Sequence, residues 1–163
     1  MCSTDAESLT VEHLWELLAS RGHGVLATIR RDGRPQLSNI GYRWDQATRT
    51  VSFIAGDFRA KTRNLERDPR ASLHVTNGDF SLWLVADGEA LLSEPCRAND
   101  DQIGQLIVAR FGLADGRSEA ELAAHLEDYP IVGRRLIEVA VKRIYGGNAT
   151  KALAISSDVE LAV

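Results

Sequence analysis

The stretch FRAKTRNLERDPR, Phe58 to Arg70, gathers Arg59, Lys61, Arg63, Arg67 and Arg70 against only Glu66 and Asp68, in a chain of net charge −4. Clustered guanidinium and ammonium groups hold phosphates and carboxylates through charge-assisted hydrogen bonds. The chain leaves a strand at Ala55-Gly56-Asp57, and the spacing predicts a short helix starting near Ala60. A helix start carries unused N–H groups and a partial positive charge, which suits an anion. Arg59 and Lys61 flank that start, and Arg63 and Asn64 lie on its first turn. A solvated helix face explains the same charges, and the four-residue spacing of Glu66 and Arg70 supports such a face. Arg67 and Arg70 are surface residues on either reading.

A second polar group interrupts a segment that should be half buried: PQLSN, Pro35 to Asn39. Strand geometry puts Gln36 and Ser38 on one face and Asn39 on the other. Buried polar groups need partners, so these either meet a ligand's hydrogen-bonding edge or tie down neighbouring loops. Other chemistry finds little support. His13, His23, His74 and His125 lack the spacing of metal ligands and read as structural or surface residues. Cys96 has no evident activating partner, and the glycine fingerprint of nicotinamide-binding chains is missing.

The elements that must position these residues are mostly strands. Thr10 reads as an N-cap, with a helix over about 10–20 carrying Val11, Leu14, Trp15 and Leu18 on one face, and Leu9 and Leu14 placed for a hydrophobic staple. Six strands follow: Gly24–Arg30, Pro35–Trp44, Thr50–Ala55, Ala71–Thr76, Ser81–Leu92 and about Arg135–Gly146. Asp32-Gly33 marks a hairpin between the first two. Ala71, Leu73 and Val75 point inward, with Ser72, His74 and Thr76 outward. Helices are predicted over Lys61–Asp68, stopped by Pro69, over Asn99–Phe111 and over Glu119–Leu126. The tail beyond Lys151 has weak signals and is expected to be partly loose. The fold class is mainly β with flanking helices: six antiparallel strands closed into a barrel.

Residues 1–163 have the length of one domain, with the barrel core over about 24–146. An apolar content of 44% supports a real core. No apolar run approaches the roughly 18–20 residues of a membrane span. The acidic, polar N-terminus does not read as a signal peptide, and two cysteines make no disulfide framework, so a cytoplasmic location is expected. A pI near 5.6 argues against general nucleic-acid binding.

GVLATIRRDGRPQLSN followed by FRAKTRNLERDPRAS resembles the split β-barrel family related to pyridoxamine 5′-phosphate oxidase. More narrowly, it is similar to the branch that uses the deazaflavin coenzyme F420 in place of FMN. The resemblance covers Leu14 to Leu92 well, weakens from Glu94 to Arg134 and returns faintly at the last strand. It implies a homodimer with two cofactor sites at the interface. It further implies that Arg59 and Lys61 hold the coenzyme's phosphate or acidic tail, that Gln36, Ser38 and Asn39 line the tricyclic ring, and that Asn64 supports the phosphate loop. Trp83 matches a position where relatives often carry an aromatic residue near the site, one the other protomer could supply; a barrel-core or interface tryptophan is the alternative reading. The implied activity is hydride transfer from reduced F420 to an electron-poor double bond of a small organic substrate. An FMN-dependent oxidase or reductase and a non-catalytic F420-binding protein are the alternatives. Arg63 bears most on the choice of cofactor, because the F420 tail carries several carboxylates where FMN has one phosphate.

Overall fold

The computed structural model describes residues 9–112, 118, 120–121, 124, 130–150 and 153–158. Helix α1 (Val11–Arg21) starts as its sequence predicts. Thr10 stands at the N-cap, and its backbone N–H donates to Nδ1 of His13 at 3.0 Å, so this histidine closes a helix end. Leu14 and Leu18, both fully buried, pack α1 into the barrel core.

Strands β1 (His23–Ile29) and β2 (Pro35–Gly41) form the predicted hairpin, with Gly33 taking the left-handed φ of +82° that its turn requires. The single second strand expected over Pro35–Trp44 is in fact two. Chain pairing breaks at Tyr42, whose N–H donates to Gly22 O and whose buried hydroxyl donates to Leu18 O at 2.7 Å. Beyond that corner β3 (Arg43–Asp45) pairs with β4 (Thr50–Gly56) and not with β1. Helix α2 (Ala60–Arg67) follows, then β5 (Arg70–Thr76) and β6 (Leu82–Leu92).

Helix α3 (Gln102–Ile107), capped by the Asp101 carboxylate, runs into a π-helical turn over Val108–Gly112. The helix expected over Glu119–Leu126 lies mostly outside the described residues, as does His125. Strand β7 (Arg134–Asn148) is the spine of the sheet: its first half pairs with β4, and its second half pairs with β8 (Leu153–Asp158). This eighth strand corrects the expectation of a loose tail. β8 reads weakly because LAISSD offers little apolar alternation, and it is held by its ladder to β7.

The order β2-β1-β5-β6-β7-β4-β3, with β8 on β7, is an antiparallel sheet curled into a half-barrel. Its edges, β2 and β3, are joined through Tyr42. Inner rows run across the strands, one of them Ser38, Leu26, Leu73, Ala86 and Ile144. All of that row except Ser38 is apolar and buried. A second small core of Cys96, Ile107, Ile131 and Leu136, joined by Ile54 and Phe111, lies where α3 and the π-helical turn cover the outer side of β4 and β7. Burial, then Asp101, pushes the Cys96 thiol upward, which suits a structural cysteine. Among the described residues no helix is long and apolar enough to cross a membrane.

Candidate anion-binding cleft

Strand β4 ends at Gly56, and the chain turns sharply into α2. Arg59 N–H donates to Gly56 O at 3.0 Å, and the buried Thr62 hydroxyl donates to the same carbonyl at 2.9 Å. Arg59 stands at the N-cap, where no side chain accepts from the helix N–H groups, and no acid lies in the first turn. The helix start is therefore uncapped and unneutralised, which leaves its donors for another group.

Beside it opens a cleft of about 640 Å³, lined by Gln36 and Ser38 of β2, Ile54 and Ala55 of β4, Phe58 to Lys61, and Pro130 with Val132 to Arg134. That is the size range of small-molecule sites. Four predicted residues meet here: Gln36, Ser38, Arg59 and Lys61. The Ser38 hydroxyl is buried and has no hydrogen-bond partner, alone among the described residues. Among the described residues Lys61 reaches only Asn39 O, at 3.5 Å, and Arg59 lies over the ring of Phe58, 5.0 Å from its centroid. Burial, and then the charge of Arg59, lower the Lys61 pKa below the ordinary lysine value.

Among the described residues the carboxylates flanking α2 do not pair with Arg59 or Lys61. Asp57 and Glu66 both turn to Arg135 of β7, at 2.6 and 2.9 Å, and that guanidinium also donates to Ser93 O. Glu66 thus does not pair with Arg70, as a solvated helix face would have it. Arg70 takes Asp68, at 2.7 Å. Arg135 sits 78 residues from Asp57 in sequence, so only the fold reveals it. Replacing it with methionine should cost about 1–2 kcal/mol in a urea titration, because it strips two half-exposed carboxylates of their partner. The same change should weaken anion binding, since the freed carboxylates then compete for Arg59 and Lys61. Unchanged stability would show that the pairs carry no weight.

The other predicted residues lie elsewhere. Arg63 borders a separate groove on the far side of Phe58, with Arg31 and Arg67. Asn64 is buried, does not line the cleft, and its amide is spent on Thr28 and Arg67. Asn39 offers the cleft side only its carbonyl, and its side chain is on the outer sheet face, in the row Asn39, Val25, His74, Val85 and Tyr145. Trp83 is on that face too, 6.4 Å from the ring centroids of both His74 and Tyr145. It does not line the cleft of its own chain. Thr28 was missed, although the hairpin register that sets it opposite Gln36 follows from the turn sequence.

A curled antiparallel sheet with flanking helices, and a cationic helix start beside its cleft, define a protein of the split β-barrel class. The chain belongs to the pyridoxamine 5′-phosphate oxidase family, whose model matches residues 10–146. Among solved structures it is similar to an F420 reductase, with 24% identity over 79% of this chain and 93% of that one and a TM-score of 0.53. An FMN-binding protein of Nostoc punctiforme matches at 16% identity, over 92% and 94% of the two chains, with a TM-score of 0.58. A heme-binding protein of Mycobacterium smegmatis matches at 20% identity and a TM-score of 0.61 over 87% of this chain, which spans 55% of that protein. At these identities the likenesses speak to the fold.

Proposed function

We propose that the chain is an F420-dependent oxidoreductase that passes a hydride to an electron-poor double bond of a small organic molecule. The observation that carries this is the pairing, in one cleft, of a buried hydroxyl without a hydrogen-bond partner and two cations without a carboxylate among the described residues. Such groups are costly unless a ligand with an anionic end and a polar ring satisfies them. Arg59, Lys61 and the first turn of α2 would grip the phosphate, while Gln36 and Ser38 would meet the ring edge. Bound in reduced form, the coenzyme supplies the hydride. The chain's own part is to orient that ring, to exclude water with Ile54 and Val132, and to leave one face open to substrate. No fixed acid is required, since solvent can return the proton.

A homodimer completes this reading. Val25, Ala27, Ile29, Val85 and Trp83 are only half buried on the outer sheet face, and Leu37 there is 64% exposed. A second copy covering this face would bring Asn39 and Trp83 toward the partner's cleft, which reconciles their placement with a role beside the ring.

Arg63 separates F420 from FMN. A ligand must extend past Phe58 to reach it, as an acidic tail does and a single phosphate does not. Fluorescence titration of the apo-protein with F420 and, in parallel, FMN tests the proposal. F420 should bind more tightly, and Arg63→Ala should weaken F420 several-fold while leaving FMN unchanged. Tighter binding of FMN would replace the proposal with an FMN-dependent oxidase or reductase. Tight F420 binding without turnover on a panel of activated alkenes would make the chain a binding protein.

A further inference from the structure

We propose that Arg67, Asn64 and Thr28 form a relay that fixes the polarity of Gln36, so that its amide offers an N–H, and not a carbonyl, to the ligand. The inference rests on the cleft being the cofactor site and adds which chemical edge it reads. Arg67 is the anchor. It donates to Ile29 O and, at 3.4 Å, to Oδ1 of Asn64. A guanidinium can only donate, so the Asn64 oxygen must face it. Nδ2 of Asn64 is thereby turned to Oγ1 of Thr28, and donates at 3.0 Å. The single Thr28 proton is then free for Oε1 of Gln36, at 3.2 Å.

Thr28 and Gln36 are direct cross-strand partners, and Thr28 is 1% exposed and Asn64 7%. Groups buried to that degree rely on each other for their hydrogen bonds. With its oxygen spent, Gln36 has only Nε2 left. One N–H goes to Leu37 O at 2.9 Å, and the other remains for the cleft that Gln36 lines. Reversing the Gln36 amide would set its oxygen against Leu37 O and strand the Thr28 proton. Reversing Asn64 would set two donors face to face. The ligand edge at Gln36 therefore accepts a hydrogen bond, as a ring carbonyl does and a ring N–H does not.

Two measurements test this separately from the cofactor assignment. In the apo-protein, Thr28→Val should free the Gln36 side-chain amide, so that its two N–H resonances converge and exchange faster with solvent. Thr28→Ser should restore the wild-type signals. Unchanged amide signals in a folded Thr28→Val protein overturn the relay whatever the ligand. The second measurement is binding of F420 and FMN to Gln36→Glu. At neutral pH the carboxylate opposes an acceptor edge, and affinity should fall about tenfold or more. On acidification the protonated acid regains a donor, and affinity should recover. Wild-type affinity at neutral pH, or a loss that acid does not reverse, contradicts an acceptor edge. If the wild-type chain binds neither probe, the cofactor reading fails and the acceptor edge falls with it, while the amide resonances still decide the relay.

Discussion

Lys61→Ala is expected to weaken coenzyme binding by about 1.5–3 kcal/mol, roughly 10- to 150-fold in affinity. The size follows from where the ammonium sits. Lys61 is half buried, and among the described residues its hydrogen-bond partner is the Asn39 carbonyl at 3.5 Å and no carboxylate pairs with it. Its desolvation is already spent in the free protein, so an anion arriving there meets a cation in want of a partner. The lowered pKa fixes the sign of the pH dependence. Binding needs the ammonium, so affinity should fall as pH rises through that lowered value, sooner than an ordinary lysine would lose its proton. A bound anion favours the charged form, so binding should take up protons at alkaline pH. Isothermal titration in two buffers of different ionisation heat measures that uptake. Affinity unchanged by the substitution would remove Lys61 from the site.

Gly146→Ala is expected to destabilise the fold by about 3 kcal/mol, a fall in Tm of roughly 6–12 °C. Gly146 lies on the inner face of β7, where a Cβ would stand 2.2 Å from Trp83 O, 2.8 Å from Leu14 Cδ2 and 3.0 Å from Leu84 Cα. The leucine methyl could give way, but the β6 backbone could not without losing its register with β7. That register runs the length of β6, from Leu82 opposite Asn148 to Leu92 opposite Ile137. Thermal unfolding of the variant checks this. A Tm within a degree of wild type would mean that α1 and β6 are free to shift.

Much of this fold was legible because its signals are local. Ala71, Leu73 and Val75 alternate inward in β5, Asp32-Gly33 makes its hairpin, and Pro69 ends α2 within a residue of the prediction. What was hidden depends on distant partners. The corner at Tyr42 exists because Gly22 and Leu18 accept its two hydrogen bonds. β8 exists because the far half of β7 needs a neighbour.

The cleft divides the same way. Arg59 and Lys61 declared themselves by charge at a helix start, and Gln36 and Ser38 by polarity on an inward face. Arg135, which holds two carboxylates away from those cations, is an unremarkable arginine at the head of a strand until β7 is laid beside β4. Asn39 and Trp83 share the outer face, so no single chain can bring them to its own cleft.

The most direct test is a crystal structure of the chain with F420 bound. The phosphate is expected within hydrogen-bond reach of Arg59, Lys61 and the first N–H groups of α2, the ring edge at Gln36 and Ser38, and the acidic tail running past Phe58 toward Arg63. Coenzyme seated anywhere else on the barrel, or a cleft left empty at saturating F420, would contradict it.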